Sequence, residues 1–343
     1  AEVVEIFEDH IAVKISADVE IGSRRHLNLP GMKIKLPSLI EKDKTDLLFG
    51  IKAGINYVAA SFIRTGENVK EIREFLDANG GSHIKIISKI ENQEGVENLE
   101  EIAQFSDGIM IARGDLGIEL PIRELPVYQK RILEMAHLYG KPVIMATELM
   151  KSMVKNPFPT RAEVSDVFNS VMARVDAVML SDETAVGLYP VRTVEIMAKT
   201  VQEGEKEIYD EHDDFDLLTD DETEQNKKGI ARHASLMADE FAAKAIIVFS
   251  YSGRLASYLS AFKPNQPVFS FTENENTHYA LGVNYGVFSK KVAGLTGKMA
   301  EDQEMAIATL KAEGILEAGD AVVVVGARDH NGEKQPQMRV VNV

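Results

Sequence analysis

Lys89 and Glu91 stand two residues apart where an apolar run at 84–88 ends in charge. Arg113 and Asp115 repeat that spacing after a second run at 109–112. Residues two apart on a strand project to the same face. The spacing therefore predicts Lys89 beside Glu91 and Arg113 beside Asp115, at the mouth of two neighbouring strands. In a parallel α/β sheet or barrel, that end of the strands is where chemistry is placed. Two carboxylates there, with no His or Cys nearby, make a hard oxygen site suited to Mg2+ or Mn2+, completed by water and substrate oxygens. Lys89 adds a mobile positive charge that can face a phosphate or an enolate. Gly114 and Gly117 flank Asp115, so backbone amides at 115–117 can approach a ligand such as a carboxylate.

Two further strand ends carry polar groups. One ends in Met145-Ala146-Thr147-Glu148, which brings the Thr147 hydroxyl to the same mouth. The other ends in Ser181-Asp182-Glu183-Thr184. Taken singly, a Lys-x-Glu pair is an ion pair and a Gly-Asp step is a turn. Four successive strand ends of this kind are not a structural requirement, and the repetition points to a site. No Walker-type loop, no G-x-G-x-x-G after a strand and no Gly-x-Ser-x-Gly elbow is present.

The elements that must position these groups alternate. Residues 2–16 read as a hairpin, and 1–36 as the end of a small β module too short to fold alone. Ser38 and Glu41 have capping-box spacing, and a helix runs from there to Gly54. Strands are expected at 57–62, 84–90, 108–113, 142–147 and 176–181, with helices at 67–78, 93–104, 122–138, 161–173 and 189–207. Strands alternating with helices imply a parallel sheet with all carboxyl ends on one side. Residues 209–225 hold nine Asp or Glu and no Lys or Arg, the composition of a solvated linker. A second alternation follows: helix 226–241, strand 245–249, helix 254–261, strand 267–271, helix 276–282, strand 286–292, helix 298–313, and strands 321–326 and 338–343. The expected fold is α/β. A hairpin remnant (1–36) leads into a partial TIM-type (β/α) barrel of five βα units (37–205) that carries the site. A mostly parallel C-terminal α/β domain (206–343) follows.

The 343 residues, 45% hydrophobic, suffice for two cored domains. A net charge of −16 opposes binding to nucleic acid or anionic lipid, while local cations and a metal can still hold a small phosphorylated ligand. Cysteine is absent, which excludes disulfides and thiolate metal sites. The eight histidines show no i, i+4 zinc pair. No apolar run approaches the ~20 residues of a membrane helix, and the opening Ala1-Glu2-Val3-Val4-Glu5 has no signal-peptide character. A cytoplasmic address fits these features.

Several stretches are specific enough to compare. Ile87-Ser88-Lys89-Ile90-Glu91-Asn92 with Gly95, and Asp107 to Pro121 with its Arg113-Gly114-Asp115 core, resemble the pyruvate kinase family. So do Lys141 to Thr147, Asn156 to Glu163, Met179 to Ala185, Asn28 to Gly31 and Ala60 to Arg64. The resemblance implies a TIM-type barrel with an inserted small β domain, a C-terminal α/β domain, and phosphoryl transfer from phosphoenolpyruvate to ADP giving pyruvate and ATP. It implies Glu91 and Asp115 as ligands of Mg2+ or Mn2+. Lys89 would stabilise the transferring phosphoryl group and the enolate oxygen. The Gly114 and Asp115 amides would hold the substrate carboxylate, and Thr147 would lie at the substrate near the proton delivered to carbon. Ser250, Ser252, Gly253 and Arg254 would form the loop for an effector phosphate, at a helix N-terminus where anions bind well. An ordinary capped helix start explains the same residues. A homotetramer is implied as well.

Three departures qualify the resemblance. The family's opening barrel segment is absent, and with it the expected K+ ligands, an arginine for the phosphate and much of the ADP contact. The isolated chain is therefore expected to turn over weakly or not at all. Asp182 replaces a small residue, and Leu255 stands where a hydroxyl commonly helps hold effector phosphate. Two other functions fit the residues: a divalent-metal 2-oxo acid aldolase or lyase on the same type of barrel, and a non-catalytic regulatory relative.

Overall fold

The computed structural model describes residues 2–20, 22–23, 31–32, 37–208, 217, 222–330 and 333–343. Strands β1 (Glu2–Ile6) and β2 (Ile11–Lys14) pair antiparallel, with Val3 opposite Val13. Val3, Ile6, Ile11 and Val13 are all exposed, as expected of a hairpin without a core of its own. Asn28, Leu29 and Pro30 of the expected motif lie outside the described residues.

Helix α1 (Glu41–Ala53) does not start on the expected Ser38–Glu41 box. Ile40 is its N-cap, and the Ile40 amide donates to Asp43 Oδ2 at 2.9 Å. Ser38 Oγ instead accepts from the Asn68 side chain at 2.7 Å. Glu41 and Asp43 sit three residues past Ser38 and Ile40, and with Ser38 taken up by Asn68 the helix uses the later start. Gly54 closes the helix in the left-handed conformation, φ 74°.

There follow β3 (Tyr57–Ala60), α2 (Gly66–Ala78), β4 (Lys85–Ile90), α3 (Gln93–Glu97), α4 (Leu99–Phe105), β5 (Gly108–Ala112), α5 (Arg113–Glu119), α6 (Leu125–Leu138), β6 (Val143–Ala146), α7 (Arg161–Met172), β7 (Ala177–Met179), α8 (Asp182–Ala185) and α9 (Pro190–Lys206). The single helix expected over 93–104 is broken at Asn98, whose side chain donates to the Arg64 carbonyl at 2.9 Å. The five strands bond in chain order, all parallel. Winding in one direction is the barrel mode; a doubly wound sheet would reverse its order. Among the described residues no strand lies beyond β3 or β7, so the sheet is open.

Side chains alternate across this sheet. Ile86, Ile109, Ile111 and Val143 face the helices and join Leu76, Ile102 and Ile132 in the main core. Burying each such side chain stabilises by about 1.5–3 kcal/mol. Ile87, Met110 and Ala146 form a smaller cluster on the other face.

The second unit comprises α10 (Glu222–Glu240), β8 (Ala245–Phe249), α11 (Arg254–Ala261), β9 (Val268–Thr272), α12 (Glu275–Ala280), β10 (Val287–Lys291), α13 (Met299–Ala312), β11 (Ala321–His330) and β12 (Glu333–Asn342). Its sheet order is β10-β9-β8-β11-β12, parallel except for β12. The order reverses at β8, which makes the β8–β11 boundary a topological switch point, where ligands bind in such sheets. The acidic run expected to be a solvated linker ends inside α10, and its last member, Glu224, is buried.

Asp176, just before β7, joins the two units. One carboxylate oxygen accepts from the Val143 amide at 2.8 Å. The other accepts from Lys263 Nζ at 2.5 Å and the Tyr285 amide at 3.1 Å. The Asp176 and Lys263 side chains are 3% and 6% exposed.

Candidate active site

The carboxyl ends of β3, β4, β5 and β6 bring most of the expected residues into two clusters on neighbouring strands. In the first, Glu91 follows β4 and is 1% exposed. A carboxylate that deep needs partners, and it has two. Lys89 Nζ lies 2.7 Å from Oε1. The Phe62 amide donates to Oε2 at 2.6 Å. Lys89 Nζ also donates to Ser61 Oγ at 2.8 Å. Period-two projection therefore holds at the end of β4. Phe62 adopts a left-handed φ of 54°, and its amide donates to Glu91 there. The turn that carries it packs on α3: a Cβ at Gly95 would sit 2.7 Å from the Ile63 carbonyl oxygen, so only glycine fits.

The second cluster departs from expectation. β5 stops at Ala112 and the chain turns directly into α5, so alternation does not continue to Arg113 and Asp115. Arg113 is 7% exposed and does not open onto the mouth. Its guanidinium donates to the Thr147 carbonyl at 2.7 Å and to Asp166 of α7 at 2.6 Å. In return the Thr147 hydroxyl oxygen accepts from the Gly114 amide at 2.8 Å. The ends of β5 and β6 are thus latched twice through one threonine. In this arrangement the Gly114 amide, expected to hold a substrate carboxylate, is engaged by Thr147. Thr147 and Glu148 both have positive φ, 69° and 58°, a conformation non-glycine residues adopt only when their surroundings enforce it.

Asp115 lies in the first turn of α5 and is half-buried. Among the described residues its carboxylate makes no hydrogen bond or ion pair. Its charge and burial together raise the carboxyl of Glu119, burial being the larger cause. No group of three or more His, Cys, Asp or Glu able to hold a metal occurs among the described residues. The ligands that the resemblance implies, Glu91 and Asp115, are only two carboxylates. That suits a hard divalent cation that keeps water and substrate oxygens in its shell, and it does not suit an all-protein cage.

Glu183 stands in the polar strand end Ser181 to Thr184 expected above. It is 1% exposed and accepts from the Met150 and Ser181 amides at 3.2 and 2.8 Å, tying the loops after β6 and β7 together. Asp182, one of the departures, forms a surface pair with Lys151 at 3.1 Å. The stretch Asn156 to Glu163 contains a capping box: Thr160 Oγ1 accepts from the Glu163 amide while Glu163 accepts from the Thr160 amide, at 3.2 and 2.7 Å. Glu163 also accepts from the Ser152 amide and hydroxyl.

The loop after β8 lies at the switch point. Ser250 Oγ accepts from the Gly253 amide at 3.0 Å, and Gly253, φ 78°, starts α11. Ser252 and Arg254 are exposed, and Leu255 packs into the core.

A singly wound parallel sheet with a lysine–carboxylate cluster at its mouth, coupled to a doubly wound α/β unit, defines a class of two-part barrel enzymes. Within it the chain belongs to the pyruvate kinase family. Residues 1–194 match the family model "Pyruvate kinase, barrel domain" and residues 228–341 match "Pyruvate kinase, alpha/beta domain". Curated relatives named pyruvate kinase include one from Clostridium perfringens, 41% identical over 310 residues, covering 89% of this chain and 64% of that protein. One from Lachancea kluyveri is 43% identical, covering 94% of this chain and 66% of that protein. One from Geobacillus stearothermophilus is 39% identical, covering 89% and 51%. The chain thus spans about half to two thirds of the length of these relatives. No helix among the described residues is long and apolar enough to cross a membrane.

Proposed function

We propose that this chain serves phosphoryl transfer from phosphoenolpyruvate to ADP, giving pyruvate and ATP, as the last step of glycolysis in the cytoplasm. The observation that carries the reading is the Lys89–Glu91 cluster, with the unpaired Asp115 carboxylate one strand further on. In this reading Glu91 and Asp115 hold Mg2+ or Mn2+, with K+ as a second requirement. Bound there, the divalent ion supplies charge neutralisation for the phosphoryl group. Residues 37–205 form the catalytic barrel portion, 1–36 the end of a lid-type β domain, and 206–343 a regulatory α/β domain in a homotetramer.

The residues act by position and charge, which is what phosphoryl transfer needs from a protein. The bond from phosphorus to the enol oxygen breaks as an ADP oxygen attacks. The enolate left behind takes a proton at carbon and becomes pyruvate. The Lys89 ammonium, 22% exposed, swings from Glu91 toward the transferring group and the enol oxygen. Thr147, held by Arg113 and Gly114, places its hydroxyl beside the carbon that is protonated. The loop at Ser250, Ser252, Gly253 and Arg254 takes the phosphate of an effector.

The test is pyruvate formation with phosphoenolpyruvate, ADP, Mg2+ and K+. Turnover that requires the divalent ion and disappears in Lys89→Met and Glu91→Gln supports the reading. Cleavage of a 2-oxo acid without phosphoryl transfer would overturn it.

A further inference from the structure

The loop assigned above to an effector phosphate has a neighbour that the sequence did not predict. Glu224, from the first turns of α10, reaches α11 and puts its carboxylate among cationic and hydroxyl donors. Its Oε1 lies 2.8 Å from Arg254 Nη1 and 2.6 Å from Lys227 Nζ. Its Oε2 accepts from the Tyr258 hydroxyl at 2.6 Å. The Glu224 side chain is only 11% exposed, although it ends a run of acids expected to lie in water.

The surroundings are rich in positive charge. The Lys228 ammonium sits over the Tyr258 ring, 5.3 Å from its centre. Lys141, on the loop between α6 and β6, feels Lys85, Lys228 and Arg254 as repelling neighbours. Gly140 beside it packs against the Tyr258 ring, so this cluster bridges the barrel portion and the second unit. Asp107, the acid that acts on Lys141, is already paired with Arg73 at 2.9 Å and Lys85 at 3.1 Å. Among the described residues, Glu224 is the carboxylate that answers Lys227 and Arg254.

An oxyanion held by a guanidinium and an ammonium has the donor environment of a bound phosphate group, while the Tyr258 hydroxyl serves the other carboxylate oxygen of Glu224. We infer that Glu224 is an internal anion that fills the phosphate seat at the head of α11, and that a phosphate-bearing ligand binds there by displacing it. The inference rests on the effector-loop reading and adds a regulatory device to it. In the free chain the first turns of α10 are latched to α11 through Glu224. With phosphate bound, Arg254 and Lys227 turn to the ligand and the start of α10 is released. Burial and the retained donors agree with this: burial alone would raise the Glu224 carboxyl, yet Lys227, Tyr258 and Arg254 hold it down to about 2, so it stays an anion throughout the neutral range.

The experiment is a calorimetric titration of the full chain with inorganic phosphate, and with tungstate as a stronger-scattering stand-in that can be located crystallographically. Three variants are compared. Glu224→Gln removes the competing charge and should bind at least about tenfold tighter than wild type, the equivalent of one charge-assisted hydrogen bond. Tyr258→Phe loosens the latch without removing a cation, and should shift affinity the same way by a smaller factor. Adding Arg254→Gln to Glu224→Gln should abolish the gain. Hydrogen exchange at 224–228 in wild type should rise when phosphate binds. Equal affinity in wild type, Glu224→Gln and Tyr258→Phe overturns the latch while leaving the phosphate loop standing. Absence of binding in every variant overturns the loop reading and the latch with it. If Glu224→Gln fails to fold, Tyr258→Phe and the exchange measurement still decide the matter.

Discussion

Arg113 is where one residue decides the shape of the mouth. Its guanidinium is nearly buried and bonds both the Thr147 carbonyl and Asp166. Arg113→Met leaves that carbonyl and that carboxylate without donors. Hydrogen bonds to charged groups contribute about 1.5–3 kcal/mol each way, so the urea midpoint should fall by an amount in that range divided by the m-value. The metal role proposed for Glu91 and Asp115 can be tested directly. Glu91→Gln should lose Mn2+ binding measured by water-proton relaxation, whereas Lys89→Met should keep it, since the lysine competes for the carboxylate and is not a ligand. Lys89, Glu91 and Thr147 were legible in the sequence because an apolar run that stops on charge marks a strand end. Arg113 was misplaced because alternation was carried one step past Ala112, where the backbone becomes helical. Asp166 was not legible, and nor was the reach of Glu183 to the Met150 amide, because these partners lie 53 and 33 residues away in the chain.

Elements were readable where their signal is local. Five parallel strands, and a second, mostly parallel sheet, followed from the alternation of strands and helices, while the strand orders came from the structure. Helix starts failed where two caps competed, at Ser38 and Ile40, because the choice lay in the Asn68 side chain. The loop from α6 to β6 carries the clearest pH signature. Burial, opposed by Asp107 and reinforced by nearby cations, lowers the Lys141 ammonium from 10.5 to about 8. The unfolded chain therefore holds more protons than the folded one between those values, and stability rises with pH across that window. Below pH 8 the full penalty applies. The stability difference between wild type and Lys141→Gln should favour the variant at pH 7 and shrink as pH climbs from 8 to 10.5, measured by chemical denaturation at each pH.

At the scale of the whole molecule the two five-stranded sheets are pinned at the Asp176–Lys263 pair, and among the described residues no strand pairs with the outer edges of β3 and β7. Removing one partner of a buried ion pair costs about 3–5 kcal/mol. Lys263→Met should therefore do more than lower the melting temperature. It removes the ammonium bonded to Asp176, and it should split a shared calorimetric transition into two. A single peak of unchanged shape in Lys263→Met would show that the units couple through other contacts. None of this was visible in the sequence, since Asp176 meets its second-unit partners across 84 to 109 residues. Open parallel edges also template strand addition, and concentration-dependent association should follow when a scattering series is run at low ionic strength and again at high salt.

Synthesis on a ribosome gives the Asp176 joint a temporal meaning. Lys263 is added 87 residues after Asp176. At ~5–20 residues per second, the nascent carboxylate waits about 4 to 17 s for its ammonium. During that interval β7 is already tied to β6 by its ladder and by two bonds between Asp176 and the Val143 backbone, while the joint to the second unit waits for a residue the chain has yet to make.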